Sequence, residues 1–94
     1  MPAYSVVRIK VSELRGHCPF YKQGDTFLIK QQCLDPSQAT PDQFCFHSLK
    51  DLYDAYMEVR RGPIGGMRTI GCMDHAKARF QLERMADEEG PGWN

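Results

Sequence analysis

One stretch constrains the fold more than any other: Gln43 to Gly62 is the only long run in the chain with a helical period. Leu49, Leu52, Tyr53, Tyr56 and Val59 recur at i, i+3, i+4, i+7 and i+10, the spacing that gathers side chains on one helix face. Lys50, Asp51, Asp54, Glu58 and Arg61 take the other side. Ser48 reads as the N-cap, because its hydroxyl can accept a bond from a free amide of the first turn, and Asp51 three residues on stands in for the Glu of a capping box. Arg60 and Arg61 suit the negative end of the helix dipole, and Gly62-Pro63 stops the run. The expected helix therefore covers about Ser48 to Arg61.

The segments on either side have the other period. Val7, Ile9 and Val11 alternate with Arg8, Lys10 and Ser12, which predicts a strand with one buried face. The pattern breaks at Leu14 to Phe20, and Gln23-Gly24-Asp25 reads as a turn into a second strand, Thr26 to Lys30, rich in β-branched and aromatic residues. These two strands should pair antiparallel across a loop of about ten residues, longer than most hairpin loops. Gln31 to Gln43, with Pro36 and Pro41, is expected to be a polar loop. Beyond the helix, Gly62 to Gly66 is a flexible connector, Met67 to Cys72 a third strand, and Ala78, Phe80 and Leu82 alternate with polar residues in a fourth. The order β-β-α-β-β predicts an α+β fold of two layers, an antiparallel sheet with one helix packed on a face. Within it, Val7, Ile9, Val11, Phe27, Ile29, Leu49, Leu52, Tyr56, Phe80 and Leu82 form the expected core.

Ninety-four residues make a single domain, 1–94, with an ordered core at about 5–86 and an acidic, Gly-Pro-containing tail at 87–94 expected to fray. Trp93 stands out in that tail, since so much apolar area is seldom left without a docking surface. Twelve basic residues balance twelve acidic ones, so no global field draws the chain to nucleic acid or to an anionic membrane. No apolar run approaches the ~20 residues that span a bilayer. The first residues lack the charged and apolar regions of a signal peptide, so a cytoplasmic, reducing location is expected, and with it free thiols or ligands in place of disulfides.

The chemistry-bearing residues cluster in sequence. His17 precedes Cys18, His47 follows Cys45 by two, and His75 follows Cys72 by three, while Cys33 stands apart. Thiolates and imidazoles are the ligand set of zinc and of iron–sulfur clusters, so Cys18, Cys45, Cys72, His17, His47 and His75 are the candidate metal ligands. No Cys-x-x-Cys pair occurs, and the cysteines are separated by fourteen, eleven and twenty-six residues, so the fold would have to bring them together. Cys45 lies just ahead of the helix, where dipole and free amides favour a thiolate. Cys18, near Arg15 and Lys22, could have a lowered pKa. The plainer reading makes Cys45 and Cys72 small buried hydrophobes and the histidines polar surface groups. Gly65-Gly66 lacks the Lys-Ser/Thr of a phosphate loop.

An ordered set of short motifs runs from Val6 to Arg84: His17-Cys18-Pro19, Gly24-Asp25-Thr26-Phe27, Phe44-Cys45 entering a helix with Leu52-Tyr53, Cys72-x-Asp74, and Ala78 to Arg84. This set resembles a family of small prokaryotic conserved-hypothetical proteins of similar length, without an established activity. The resemblance implies the same fold and maps Cys18, Cys45 and Cys72 onto cysteines of the family pattern, leaving Cys33 outside it. The function expected from these readings is that of a small accessory or binding protein with a cysteine site near the helix N-terminus, holding zinc or an iron–sulfur cluster. One alternative is a thiol-dependent enzyme using Cys18 or Cys45 with a neighbouring histidine as base. The other is a plain interaction module docking on a larger enzyme as its partner protein subunit.

Overall fold

The computed structural model describes residues 3–14, 21–31, 33–35, 39, 46–71 and 78–89, with backbone alone at 3 and 46–48. Five strands and one helix follow in the order β1 (Ala3–Leu14), β2 (Thr26–Lys30), β3 (Cys33–Asp35), α1 (Phe46–Arg61), β4 (Met67–Gly71) and β5 (Ala78–Glu89). The strands form one sheet in the spatial order β3-β2-β1-β5-β4, every pair antiparallel, and α1 packs on one face. The fold is α+β in two layers, as the alternation of periods predicts.

β1 is the centre of the sheet because both of its edges are paired and its α1-facing side is buried. Val7, Ile9 and Val11 point towards α1 and are essentially buried, and the pairings Ile9↔Phe27, Ile9↔Leu82 and Val11↔Phe80 continue that apolar face across three strands. Tyr21 is buried beside them and meets Phe80 edge to face, ring centroids 5.5 Å apart, a favourable aromatic geometry. Val11 and Leu14 have opposite parity in sequence, yet both pack with the core. The register shift between Val11 and Glu13 resolves this: Ser12 is the extra residue of a bulge, its hydroxyl donating to the Arg79 carbonyl at 3.2 Å, and the strand changes face there.

Four expectations are corrected. The segment Gln31 to Gln43 is not wholly loop, because Cys33–Asp35 pairs with β2 as a third strand. Three residues are too few to show a period. The helix starts at Phe46, so Ser48 lies inside its first turn and is not the N-cap. The buried stripe is Leu52, Ala55, Tyr56 and Val59, while Leu49 and Tyr53 are 40% and 57% exposed. Leu49 therefore leaves the expected core, and Ile29 is only partly buried. Val6, outside the expected core, is also 1% exposed, on the face of β1 away from α1 with ladder partners Lys30 and Met85.

β5 continues to Glu89, pairing Glu88 with Tyr4 and Glu89 with Ala3, past the point where the tail is expected to begin. Trp93 lies outside the described residues. Lys30 ties three strands together through Asp35 of β3 at 3.1 Å and Glu88 of β5 at 2.9 Å. Those two carboxylates, Glu88 first, hold its ammonium protonated above the ordinary value of 10.5.

Candidate functional site

The residues expected to carry chemistry fall mostly outside the described part of the chain. Cys18, Cys45, Cys72, His17 and His75 all do, and of His47 only the backbone, in the first turn of α1, is described. Among the described residues no group of three or more His, Cys, Asp or Glu could hold a metal ion. The elements next to the cysteines are described. Leu14 pairs with Ala78 and Gly71 with Arg79, so the strand ends that flank the Cys18 and Cys72 segments share one end of the sheet. Cys33 is a free, exposed thiol on the three-residue edge strand.

One concave feature that the described residues build is a groove between α1 and the β1–β2 half of the sheet. Its volume is about 240 Å³, and Ile9, Phe27, Ile29, Leu49, Leu52, Tyr53 and Tyr56 line it. The sequence explains it: the helix stripe that packs down is Leu52–Ala55–Tyr56–Val59, which leaves Leu49 and Tyr53 standing at the rim above β2. Every lining side chain is aliphatic or aromatic, so the groove can take an apolar group and offers no catalytic pair. The exposure of Leu49, expected in the core, and of Tyr53, read as part of the same apolar helix face, is what sequence reasoning missed; the signal available was that five apolar positions exceed what one narrow stripe can bury.

Behind the groove a polar cluster closes the other end of the helix. Arg60 Nε donates to Ser5 Oγ at 3.0 Å, and the Ser5 amide and hydroxyl donate to Gln31 Oε1 at 3.1 and 3.4 Å. Gln31 sits at φ 60°, uncommon for a side-chain-bearing residue, with its own amide bonded to the Ser5 carbonyl at 2.7 Å. Arg84, opposite Val7 on the helix-facing side of β5, donates to the Arg60 carbonyl at 3.1 Å and to the Met85 carbonyl at 2.6 Å, and pairs with Asp87 at 2.7 Å. It serves α1 as a C-terminal cap, satisfying a carbonyl that the helix itself leaves open and placing a cation at the negative end of the dipole. Arg84→Met should cost about 1–2 kcal/mol, the scale of a lost cap plus charged hydrogen bonds partly offset by packing. Asp87→Ala should cost less than about 1 kcal/mol, because its carboxylate is largely exposed. Urea titrations of the two variants check the order.

Tyr56 is 4% exposed, and its hydroxyl has no hydrogen-bond partner of acceptable geometry among the described residues. Burial pushes its pKa above the ordinary 10.0, with the nearby Arg60 cation and Ser5 pulling the other way. For an acid whose folded pKa is raised, the stabilising contribution is complete below pH 10.0 and is lost as pH rises through the folded value. Tyr56→Phe should therefore flatten the alkaline fall of stability. At neutral pH it should leave stability within ~0.5 kcal/mol or raise it, since it removes a desolvated hydroxyl. Denaturation midpoints across the alkaline range give the test.

No family model matches the chain, and no match was found among curated proteins or among solved structures.

Proposed function

We propose that the chain is a small cytoplasmic binding protein, an accessory to a larger protein, that takes an apolar group of its partner into the groove between α1 and the β1–β2 half of the sheet. The observation behind this reading is the groove itself: seven aliphatic and aromatic side chains around about 240 Å³, with two of them, Leu49 and Tyr53, standing well into solvent. Large apolar side chains at the rim of a concavity are what a docking surface needs, because a partner's side chain gains burial there without a prior rearrangement. Neutral overall charge argues against nucleic acid as the partner. An anilinonaphthalene dye, bright only in apolar surroundings, is the probe. Its fluorescence should rise with the native chain and fall with Leu49→Asp, a change at an exposed position that leaves the packed stripe intact. No response, or an equal response from the variant, would remove the groove as the binding site.

A second reading places a zinc or iron–sulfur site at Cys18, Cys45 and Cys72, with His17, His47 or His75 as a further ligand. Support comes from the pairings Leu14↔Ala78 and Gly71↔Arg79, which set the flanks of the Cys18 and Cys72 segments at one end of the sheet. It also comes from the resemblance to a family in which these three cysteines recur. Metal analysis and the absorption spectrum of anaerobically purified protein test it: stoichiometric zinc or iron that is lost in Cys18→Ser supports the site. A metal-free, colourless protein that keeps its stability in chelator argues against it.

A further inference from the structure

The two edges of the sheet are unequal, and the difference has a consequence independent of the groove. β3 has three residues, and shortness is one way in which proteins keep an edge from pairing. β4 has five, Met67–Gly71, without the proline or lysine that usually blunts an edge. Met67 is 55% exposed and the neighbouring Ile64 61%.

Among the described residues, the backbone groups of β4 divide between those bonded to β5 and those directed at the edge. Arg84 donates its amide to the Gly66 carbonyl at 2.8 Å and accepts from the Gly65 amide at 2.8 Å, a bulge with Gly65 at φ 91°. Gly66 is thus bonded to β5, and since bonded and non-bonded pairs alternate along an antiparallel ladder, Arg68 and Ile70 also direct their amides and carbonyls at β5, opposite Leu82 and Phe80. The amides and carbonyls of Met67, Thr69 and Gly71 point away from the sheet. They form a self-complementary row.

We propose that β4 is the docking edge for a second copy of this chain, the two β4 strands pairing antiparallel about a two-fold axis at Thr69. That register alone brings all three outward residues into bonded pairs, Thr69 with Thr69 and Met67 with Gly71 in both directions; a two-fold at Arg68 would bond Met67 and Thr69 but leave out Gly71, and one at Ile70 would bond Thr69 and Gly71 but leave out Met67. Side chains agree with it. Met67 of each copy lies across from Gly71 of the other, so a long apolar side chain covers a position that has none. Arg68 of each copy lies across from Ile70 of the other, and its charge is already compensated by the ion pair with Glu58 of its own chain. The chain's balanced charge adds no general repulsion. A strand pair of this length buries less than a standard interface, so the dimer forms and dissociates with concentration.

Sedimentation equilibrium under reducing conditions, which exclude a disulfide at Cys33, should show a mass that climbs from 10.8 kDa at low concentration towards twice that value. Thr69→Pro removes an amide that β5 does not use and places proline where edge strands tolerate it. It should stay at the single-chain mass at every concentration, with the circular dichroism of the native protein. Should that variant fail to fold, hydrogen exchange of the native chain decides. The Met67, Thr69 and Gly71 amides should slow as concentration rises, while those of Lys22 and Gln23 do not. A native chain that remains a monomer throughout overturns the proposal. So does a folded Thr69→Pro protein that self-associates like the native one, or a dimer in which the three amides exchange at an unchanged rate.

Discussion

Phe80→Ala should cost about 3–5 kcal/mol, the range for losing a fully buried aromatic ring. Three features put it there. The residue is 0% exposed and opposes Val11 on one side and Ile70 on the other, so its ring is the joint between the central strand and the β4 side of the sheet. It also carries the edge-to-face contact with Tyr21, which is itself 3% exposed. Strands on both sides of β5 resist collapse into the vacated space, which keeps the cavity contribution high. Small domains are commonly stable by only about 5–15 kcal/mol, so the variant loses a large part of its total. At about 4–8 °C per kcal/mol for a domain of this size, its thermal midpoint should fall by at least roughly 12 °C. Chemical denaturation measures the difference directly. A loss below about 1 kcal/mol would mean that the sheet closes over the gap, and that β5 is not the rigid partner of β1 described above.

How much of this was legible in the chain depends on the length of each pattern. Thr26 to Lys30 has the composition of a strand between clear turn signals, and β2 occupies those residues. The turn ahead of it is equally plain: Lys22 and Asp25 exchange hydrogen bonds through backbone and carboxylate, and Gly24 supplies φ 94°. β3 was invisible because its pairing is set by the turn at Gln31, a residue whose sequence neighbours announce nothing unusual. The far half of β5 was invisible for another reason. After Leu82 the helix-facing position goes to Arg84, a charged residue in an apolar register, and it is held there by the Arg60 carbonyl at the end of α1, which no local pattern encodes. Conversely, the cysteines and histidines drew attention by chemistry while their placement depends on segments that carry no period at all. Periodicity names the elements. It does not say which loop meets which.

The helix gives the sharpest form of that distinction, and a pair of variants tests it. Leu49 and Leu52 belong to the same apolar series in sequence, and a reading by period alone gives them equal weight. Packing separates them: Leu52 is 3% exposed and sits in the core with Ile9, Phe27 and Tyr56, whereas Leu49 is 40% exposed at the groove rim. Leu52→Ala should cost about 2–5 kcal/mol, transfer and cavity contributions adding, and near the lower end because the groove alongside lets neighbours relax. Leu49→Ala should cost less than about 1 kcal/mol, the change of a half-exposed position with good helix propensity retained. If the two losses came out equal, α1 would be rotated from the position described, with Leu49 buried and Ala55 turned outward. The groove would then close, and the binding reading would go with it. A wide gap between the two, together with an unchanged denaturant slope in both, fixes Ala55 as the inward position and leaves Leu49 free to serve a partner.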